Sequence, residues 1–228
     1  MKYIYPHLGL GDFFICNGML RKIIRDDEEY LIFSHKQNLE SLKFMFRDLK
    51  NINFISGYQD YATNDNFVYE YILKNKIQKE DIIRITLTNK FMSHSFDENF
   101  YLSNSIDFNE RWNNFKCERD FKRELIFFEK FNLIKKEYIF VHDDNFRNFN
   151  IRNEFLKNKK VIRPIPELTK NVFDYLTLIE NAKEIHCMDS SFRMMIDSFN
   201  FENELFFHTY CRPSKDFAKS KLNWKLIN

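Results

Sequence analysis

The stretch that decides the fold is KYIYPHLGLGDFFICNGMLRKII, residues 2–24. It begins as a short apolar strand, continues through a glycine-bearing turn and ends with the apolar spacing of a helix. Three of the four glycines of the whole chain fall in it, namely Gly9, Gly11 and Gly18. In a chain so poor in glycine, we expect each to serve either a positive φ angle or a close approach of the backbone to a ligand.

Asp12 lies between this turn and the helix, just beyond the carboxyl end of the strand. Open α/β sheets bind their ligands at that position, so Asp12 is a candidate site residue. Aspartate is also a common N-cap, and the sequence leaves both interpretations open. Asn17 lies one helical turn after Phe13, and we expect it to face the same side as Asp12.

The length and composition are typical of a globular protein with a sizeable hydrophobic core and a small net charge. Its 228 residues are 44% hydrophobic, and 35 basic against 33 acidic residues give a net charge of +2. Such a balance gives no electrostatic reason to expect nucleic acid as a partner. No signal peptide and no apolar run of membrane-spanning length is visible, so we expect a cytoplasmic protein, with peripheral membrane contact left open.

The cysteines do not form a metal-binding or disulfide pattern. Cys16, Cys117, Cys187 and Cys211 are far apart and lack CxxC spacing. We expect them to be buried free thiols of a reducing compartment, and we expect no zinc site.

Strand and helix patterns alternate in the first 90 residues, which predicts a parallel sheet with helices on both faces. The predicted strands are 3–5, 30–34, 53–56 and 81–87. Helices are predicted from just after Asp12 to residue 24, at 39–49 and at 67–73.

The alternation lapses after residue 90. Residues 89–118 carry aromatic side chains in a polar background without a clean period, and 119–131 is a predicted helix. Such a stretch either lines a substrate cleft or connects two lobes. We assign residues 91–137 to a helical connector.

A second series of strands and helices follows. Its predicted strands are 138–141, 160–165, 184–188 and 205–209, its helices 172–182 and 190–199, and its last segment, 222–227, is expected to pack back on a lobe. We therefore predict an α/β fold of two Rossmann-like lobes with parallel sheets, comprising residues 1–90 and 138–228, with a cleft between them.

The most informative part of the second lobe is IHCMDSSFRMMIDSF, residues 185–199. The strand ends at Asp189, and Ser190 and Ser191 open a helix whose apolar residues share one face. Free backbone N–H groups and hydroxyls at a helix N-terminus suit a phosphate, and Arg193 adds positive charge one turn further on. The alternative is a serine or aspartate N-cap without a ligand.

HLGLGD with its helix, followed late in the chain by DSS at a strand-to-helix turn, resembles the bacterial heptosyltransferases, which are glycosyltransferases of the GT-B arrangement. The resemblance implies that Asp12, in the Gly11-Asp12 pair, is the general base acting on an acceptor hydroxyl. It also implies that Asp189, Ser190 and Ser191 hold the phosphates of a nucleotide-sugar donor. Arg147, in HDDNFRNF, matches a basic residue that the family places near the donor.

The resemblance implies transfer of a sugar from a nucleotide sugar to a hydroxyl of a glycan or lipid-linked glycan, and we expect no requirement for a metal or a cofactor. Ser191 replaces the glycine of the family turn, and the chain is smaller than family members usually are. The sugar, the nucleobase and the acceptor are therefore not carried over, and neither is the stereochemical outcome.

Further site residues follow from position. His7, at the end of the first strand, competes with Asp12 as the base because its ordinary pKa is near neutrality, or else it is a structural hydrogen-bonding residue. His142 either contacts the donor or caps a turn, and Arg163 ends a strand on the side where the nucleobase would bind. Arg147 or Arg193 would meet the charge of the leaving group. Asp143 and Asp144 are interpreted as turn acids or donor contacts, not as metal ligands.

Two other classes remain. A dinucleotide-dependent oxidoreductase also opens with a strand, glycines and a helix, but Phe14 stands where the third glycine of that motif belongs. The other alternative is a catalytically silent GT-B-like module that binds a sugar or a partner.

Overall fold

The computed structural model describes residues 1–57, 66–212 and 217–228, apart from the side chain of Phe146. They form two compact units, Met1–Cys117 and Glu118–Asn228. Each unit is built on a parallel sheet flanked by helices, as the alternating pattern predicts.

The described part of the first unit contains a four-stranded sheet in the order β3-β2-β1-β4. All its strand pairs are parallel. The strands are β1 (Lys2–Tyr5), β2 (Tyr30–His35), β3 (Ile52–Gly57) and β4 (Ile82–Arg84). The helices are α1 (Leu10–Ile23), α2 (Leu39–Met45), α3 (Asn66–Lys74), α4 (Phe96–Ser103) and α5 (Glu110–Asn113), with 3-10 turns at Lys36–Asn38, Lys79–Asp81 and Asn89–Phe91.

The fourth strand is shorter than the predicted 81–87. Its ladder with β1 ends after the Ile85 N–H donates to the Tyr5 carbonyl at 2.9 Å. The next residue of the β1 segment is Pro6, which has no N–H to donate.

Helix α1 is the central helix of the first unit. Eight consecutive residues from Phe13 to Leu20 are buried, and α4 and α5 pack against this helix. The Tyr101 hydroxyl of α4 donates to the Ile15 carbonyl at 2.8 Å. A Cβ on Gly18 would lie 1.9 Å from the Glu110 carbonyl oxygen of α5, so only glycine lets the two backbones approach this closely.

The described part of the second unit contains a five-stranded parallel sheet in the order β6-β5-β7-β8-β9. Its strands are β5 (Ile139–His142), β6 (Val161–Ile162), β7 (Glu184–Cys187), β8 (Glu204–His208) and β9 (Lys225–Ile227). Its helices are α6 (Phe121–Glu129), α7 (Leu176–Glu180) and α8 (Ser191–Ser198), with 3-10 turns at Asn145–Arg147, Asn153–Phe155 and Val172–Tyr175. Strand β6 covers only part of the predicted 160–165, since Pro164 cannot extend the ladder.

The stretch assigned to a connector, 91–137, is divided between the units. Helices α4 and α5 pack on α1 in the first unit, whereas α6 packs on α7 and the turn before it. There the Arg123 guanidinium pairs with Asp174, and the rings of Phe127 and Tyr175 lie 4.8 Å apart. Both parts are therefore integral to a unit core.

The C-terminal segment expected to pack back on a lobe forms β9, beside β8. The Thr209 N–H donates to the Ile227 carbonyl at 2.8 Å. Asp197 of α8 accepts hydrogen bonds from the Ser220 hydroxyl and from the Trp224 indole at 2.7 Å. This buried carboxylate thus attaches the segment to the helix as well as to the sheet.

In the described ranges no helix combines the length and the apolar character that crossing a membrane requires. All four cysteines are free; Cys16, Cys187 and Cys211 are buried and Cys117 is partly buried. Burial raises the pKa of each thiol, in the case of Cys117 to about 12. The expectation of buried free thiols thus holds for Cys16, Cys187 and Cys211, and Cys117 is free but only partly buried.

Replacing Gly18 by alanine should destabilise the first unit by about 3 kcal/mol or more, because the added methyl group meets the backbone of α5. The measurement is the free energy of unfolding from urea denaturation. Gly11→Ala is the matched control, since Gly11 is a partly exposed residue in the first turn of the same helix and alanine favours a helix by up to about 1 kcal/mol. Equal stabilities for the two variants would contradict the close packing of α1 on α5.

Candidate active site

The candidate residues of the first unit lie where β1 ends and α1 begins. Helix α1 begins at Leu10, and its N-cap is Gly9, which has no side chain to bond the free N–H groups. Asp12 is the third residue of the helix, so the interpretation of Asp12 as the N-cap is wrong. Its carboxylate is about one-fifth exposed, at the carboxyl end of a parallel strand.

His7 is the partner of this carboxylate. Its Nδ1 atom lies 3.6 Å from Oδ2 of Asp12, and the imidazole is half exposed. The imidazole also packs edge-on against two rings of α4, with centroid distances of 5.2 Å to Phe100 and 6.3 Å to Phe96. The aromatic stretch after residue 90 therefore contributes to the surroundings of Asp12 and does not act only as a connector.

Gly9 is explained by the position of Asp12. A Cβ built on Gly9 would lie 2.7 Å from Oδ2 of Asp12. The backbone of Gly9 has φ −68° and ψ 140°, which any residue can adopt. Of the two explanations offered for the glycines, close approach therefore applies here, and it is an approach to a side chain of the chain itself.

Asn17 lies away from this pair. It is fully buried, its amide oxygen accepts from the Lys116 N–H at 3.0 Å and its amide nitrogen donates to the Lys116 carbonyl at 3.4 Å. Nε of Arg21 donates to the same oxygen. The amide is thus used inside the first unit, and the structure does not bring it to the acceptor position expected for it.

In the second unit, α8 begins directly beyond β7. Ser190 is its N-cap, and the hydroxyl of Ser190 accepts from the Arg193 N–H at 3.4 Å. Ser191 is the first helical residue and is partly exposed. The N–H groups of the first turn have no partner within the helix, so this end of α8 retains the donors that an anion requires even though Ser190 acts as a cap.

Arg193 is a buried residue and does not project from the helix end. Only 2% of it is exposed, and its guanidinium donates to Asp189 at 3.1 Å and to the Ala218 carbonyl at 2.8 Å. Asp189 is buried as well, and its other oxygen contacts the guanidinium of Arg212. Asp189 and Arg193 were both predicted to contact phosphate. They lie instead in an internal network of charged side chains beneath the start of α8.

Arg147 and Arg163 are more accessible. Each is held by an aspartate that is about 95% buried: Arg147 pairs with Asp144 at 2.5 Å, and Arg163 pairs with Asp143 at 2.6 Å. The arginine side chains are 38% and 43% exposed. Asp143 also accepts from the Ile151 N–H, and Asp144 caps the turn that carries Arg147, so both acids are turn acids as interpreted.

His142 ends β5 next to these pairs. Its imidazole stacks on Phe192 of α8 with 4.5 Å between centroids. Burial lowers its pKa to about 4, against the opposing effect of the two neighbouring aspartates. Its Nδ1 is buried and has no hydrogen-bond partner among the described residues. The ring is therefore neutral near pH 7, and one of its nitrogen atoms is not engaged.

No group of three or more metal-ligating side chains occurs in the part of the chain that the structure describes. Sequence reasoning missed Arg212 and Phe96. Arg212 follows a predicted strand, and the strand-end rule that selected Arg163 would have selected it too. Phe96 has no comparable signal, because the packing of α4 on α1 is a tertiary contact without a sequence period.

Comparison with known proteins supports the fold only. No family model and no curated protein matches the sequence. Among solved structures, the chain is similar to E. coli ADP-heptose lps heptosyltransferase II, with a TM-score of 0.55 and 9% sequence identity, over 100% of this chain and 90% of that chain. At this identity the likeness shows a shared fold of α/β units with parallel sheets, in agreement with the fold predicted from the alternating strand and helix patterns.

The second unit should lose stability in mild acid because it holds three histidines whose pKa values are lowered. Burial lowers the pKa of His186, and it lowers those of His142 and His208 to about 4. An unfolded histidine has a pKa of about 6.5, so the unfolded chain takes up protons first, and stability present above about pH 6.5 is lost progressively toward about pH 4. The measurement is the free energy of unfolding at several pH values in that window.

His208→Gln should flatten this dependence, since His208 is fully buried and shares a 3.0 Å hydrogen bond with His186. His94→Gln is the control, because His94 is an exposed residue of the first unit. An unchanged slope in His208→Gln would show that protonation of this pair does not govern acid unfolding.

Proposed function

We propose that this chain is a glycosyltransferase that moves a sugar from a nucleotide-sugar donor to a hydroxyl group of a glycan or similar acceptor. The observation that carries the proposal is the Asp12–His7 pair at a parallel strand end, in a space that only glycine at position 9 leaves open. The heptosyltransferase-like fold and the donors at the start of α8 support it.

In the proposed reaction the acceptor hydroxyl gives its proton to the Asp12 carboxylate as its oxygen attacks the anomeric carbon of the donor. The bond from that carbon to the diphosphate oxygen breaks, and the leaving nucleoside diphosphate takes the electron pair. General-base help of this kind is worth about 10²–10⁴-fold in rate. His7 orients the carboxylate, because its Nδ1 faces Oδ2 and its ring packs edge-on against Phe96 and Phe100.

The donor side of the proposal is the end of the second sheet. The first turn of α8, with Ser190 and Ser191, supplies backbone N–H groups to the diphosphate. Arg147 and Arg163 supply positive charge from side chains already fixed by buried aspartates, which is preorganised electrostatic stabilisation of the leaving group. His142, a neutral ring near pH 7, lies next to the two aspartates that hold these arginines. We propose that neither a metal nor a cofactor is required.

Asp12→Asn should lower the turnover number by about 10²–10⁴-fold while leaving the affinity for nucleoside diphosphates unchanged, because the amide cannot accept the proton. The measurement is transfer or hydrolysis with a panel of UDP-, GDP-, ADP- and CMP-sugars, together with calorimetric titration of the free nucleotides. Asp27→Asn is the matched control, since Asp27 is an exposed acid just before β2, at the opposite end of the strands.

Full turnover by Asp12→Asn would remove Asp12 as the base and leave His7 as the remaining candidate. Nucleotide binding without turnover by the parent protein would instead support the catalytically silent module.

Gly9→Ala tests the position of the carboxylate without removing it. The methyl group would displace Oδ2 of Asp12, the end of a flexible side chain, while the backbone remains in an allowed conformation. A displacement of this kind should lower turnover by up to about 100-fold. The free energy of unfolding should be unchanged or raised by up to about 1 kcal/mol. Normal turnover in a folded Gly9→Ala protein would show that the placement of Asp12 does not matter.

A further inference from the structure

We propose that Arg212 is a further anion-binding residue at the end of the second sheet and that the buried Asp189 is its positioning residue. The inference rests on the proposed donor function and changes the role of Asp189, which was expected to contact the donor itself. The ligand would be the diphosphate of the donor or of the nucleotide product.

The topology brings the two residues together. Strands β7 and β8 are parallel neighbours, so their carboxyl ends lie side by side. Asp189 follows the end of β7 by two residues, and Arg212 follows the end of β8 by four. Their side chains meet there as an ion pair in which the aspartate is 2% exposed and the arginine is 26% exposed.

The second partner of Asp189 explains why Arg212 is the outward-facing member of the network. Arg193 bonds the other oxygen of Asp189 from inside the unit, donates to the Ala218 carbonyl and pairs with Asp197. The charge of Arg193 is therefore confined to the interior. The guanidinium of Arg212 is fixed by the same carboxylate but remains partly accessible, and a planar guanidinium can bind a carboxylate along one edge and a phosphate along another.

The same arrangement occurs at two neighbouring strand ends. Arg163 follows β6 and is held by Asp143, and Arg147 follows β5 and is held by Asp144. Adjacent strands lie about 4.8 Å apart, so the ends of β6, β5, β7 and β8 span about 15 Å.

Cys211, next to Arg212 in the chain, also lies near the Asp144–Arg147 pair. The pKa of the Cys211 thiol is raised by burial and by the charge of Asp144, and Arg147 opposes the shift. The charges of Asp144 and Arg147 therefore both act on the thiol of Cys211, the residue before Arg212.

The opposite end of the same sheet is different. There Lys159 pairs with Glu184 and Lys225 pairs with Glu204, and the cations are lysines. Partly exposed arginines on buried aspartates thus recur where strands β5, β6 and β8 end. A diphosphate, with several charged oxygens, is the ligand that can bind more than one of them.

The experiment is calorimetric titration of Arg212→Gln, Arg212→Lys and the parent protein with inorganic pyrophosphate and with UDP, GDP and ADP. One charge-assisted hydrogen bond corresponds to about a tenfold loss of affinity in Arg212→Gln. Arg212→Lys should fall between this variant and the parent, since an ammonium keeps the charge without the planar edge. Lys225→Gln is the control that removes one positive charge at the opposite end of the sheet, and it should bind like the parent.

Asp189→Asn tests the positioning role. If Asp189 acts through Arg212, Asp189→Asn should weaken diphosphate binding. The variant that combines Asp189→Asn with Arg212→Gln should then bind diphosphate no more weakly than Arg212→Gln alone. If the Asp189–Arg212 pair had a structural role only, Asp189→Asn would lower the free energy of unfolding and leave the affinity of the folded protein for diphosphate unchanged. If Asp189→Asn does not fold, the Arg212 variants still decide the question.

Parent-like affinity in Arg212→Gln, or no binding of pyrophosphate or nucleotide by the parent protein, would overturn the inference. Its failure differs from that of the proposed function. Arg212-dependent diphosphate binding without sugar transfer from any donor would support the anion site and count against the transferase. Sugar transfer that is indifferent to Arg212 would do the reverse.

Discussion

Parallel strand pairing is the constraint on which the rest of this structure depends. Because every strand pair in the described parts of both sheets is parallel, each connection must cross back over a face of its sheet, and the carboxyl ends of the strands collect at one edge. Residues that are distant in sequence, such as Asp143, Asp189 and Arg212, come together there for that reason alone. In the first unit, His7 and Asp12 lie beyond the carboxyl end of β1.

Buried carboxylates are the second recurring element. Asp143, Asp144, Asp189 and Asp197 are each almost fully buried, and each holds an arginine or attaches a neighbouring segment. A buried unpaired charge is costly, so these acids are stable only while their partners are in place. The arginines on the loops after the strands are therefore fixed in position only while the core that holds these aspartates is folded.

The sequence predicts the fold well and the site unevenly, for a physical reason. Strands and helices show in the spacing of apolar residues, and Gly9, Asp12 and Ser190 are found because they follow strand ends. Side-chain direction has no such signal: Arg193 and Asn17 were placed correctly on their helices, yet both point into the core. Phe96 and Arg212 reach the sites only through tertiary contacts, which no local period records. The division of the predicted connector between the units has the same origin, because α4 and α6 are assigned by what they pack against.

The arginines held by aspartates also affect the entropy of anion binding. An exposed arginine normally loses conformational entropy when a ligand immobilises it, at a cost of about 0.5–1.5 kcal/mol per side chain. Here Arg147, Arg163 and Arg212 are already held by Asp144, Asp143 and Asp189, so that ordering occurs when the chain folds. Any anion at this edge would therefore meet a prearranged surface, and the entropic part of its binding would be correspondingly small.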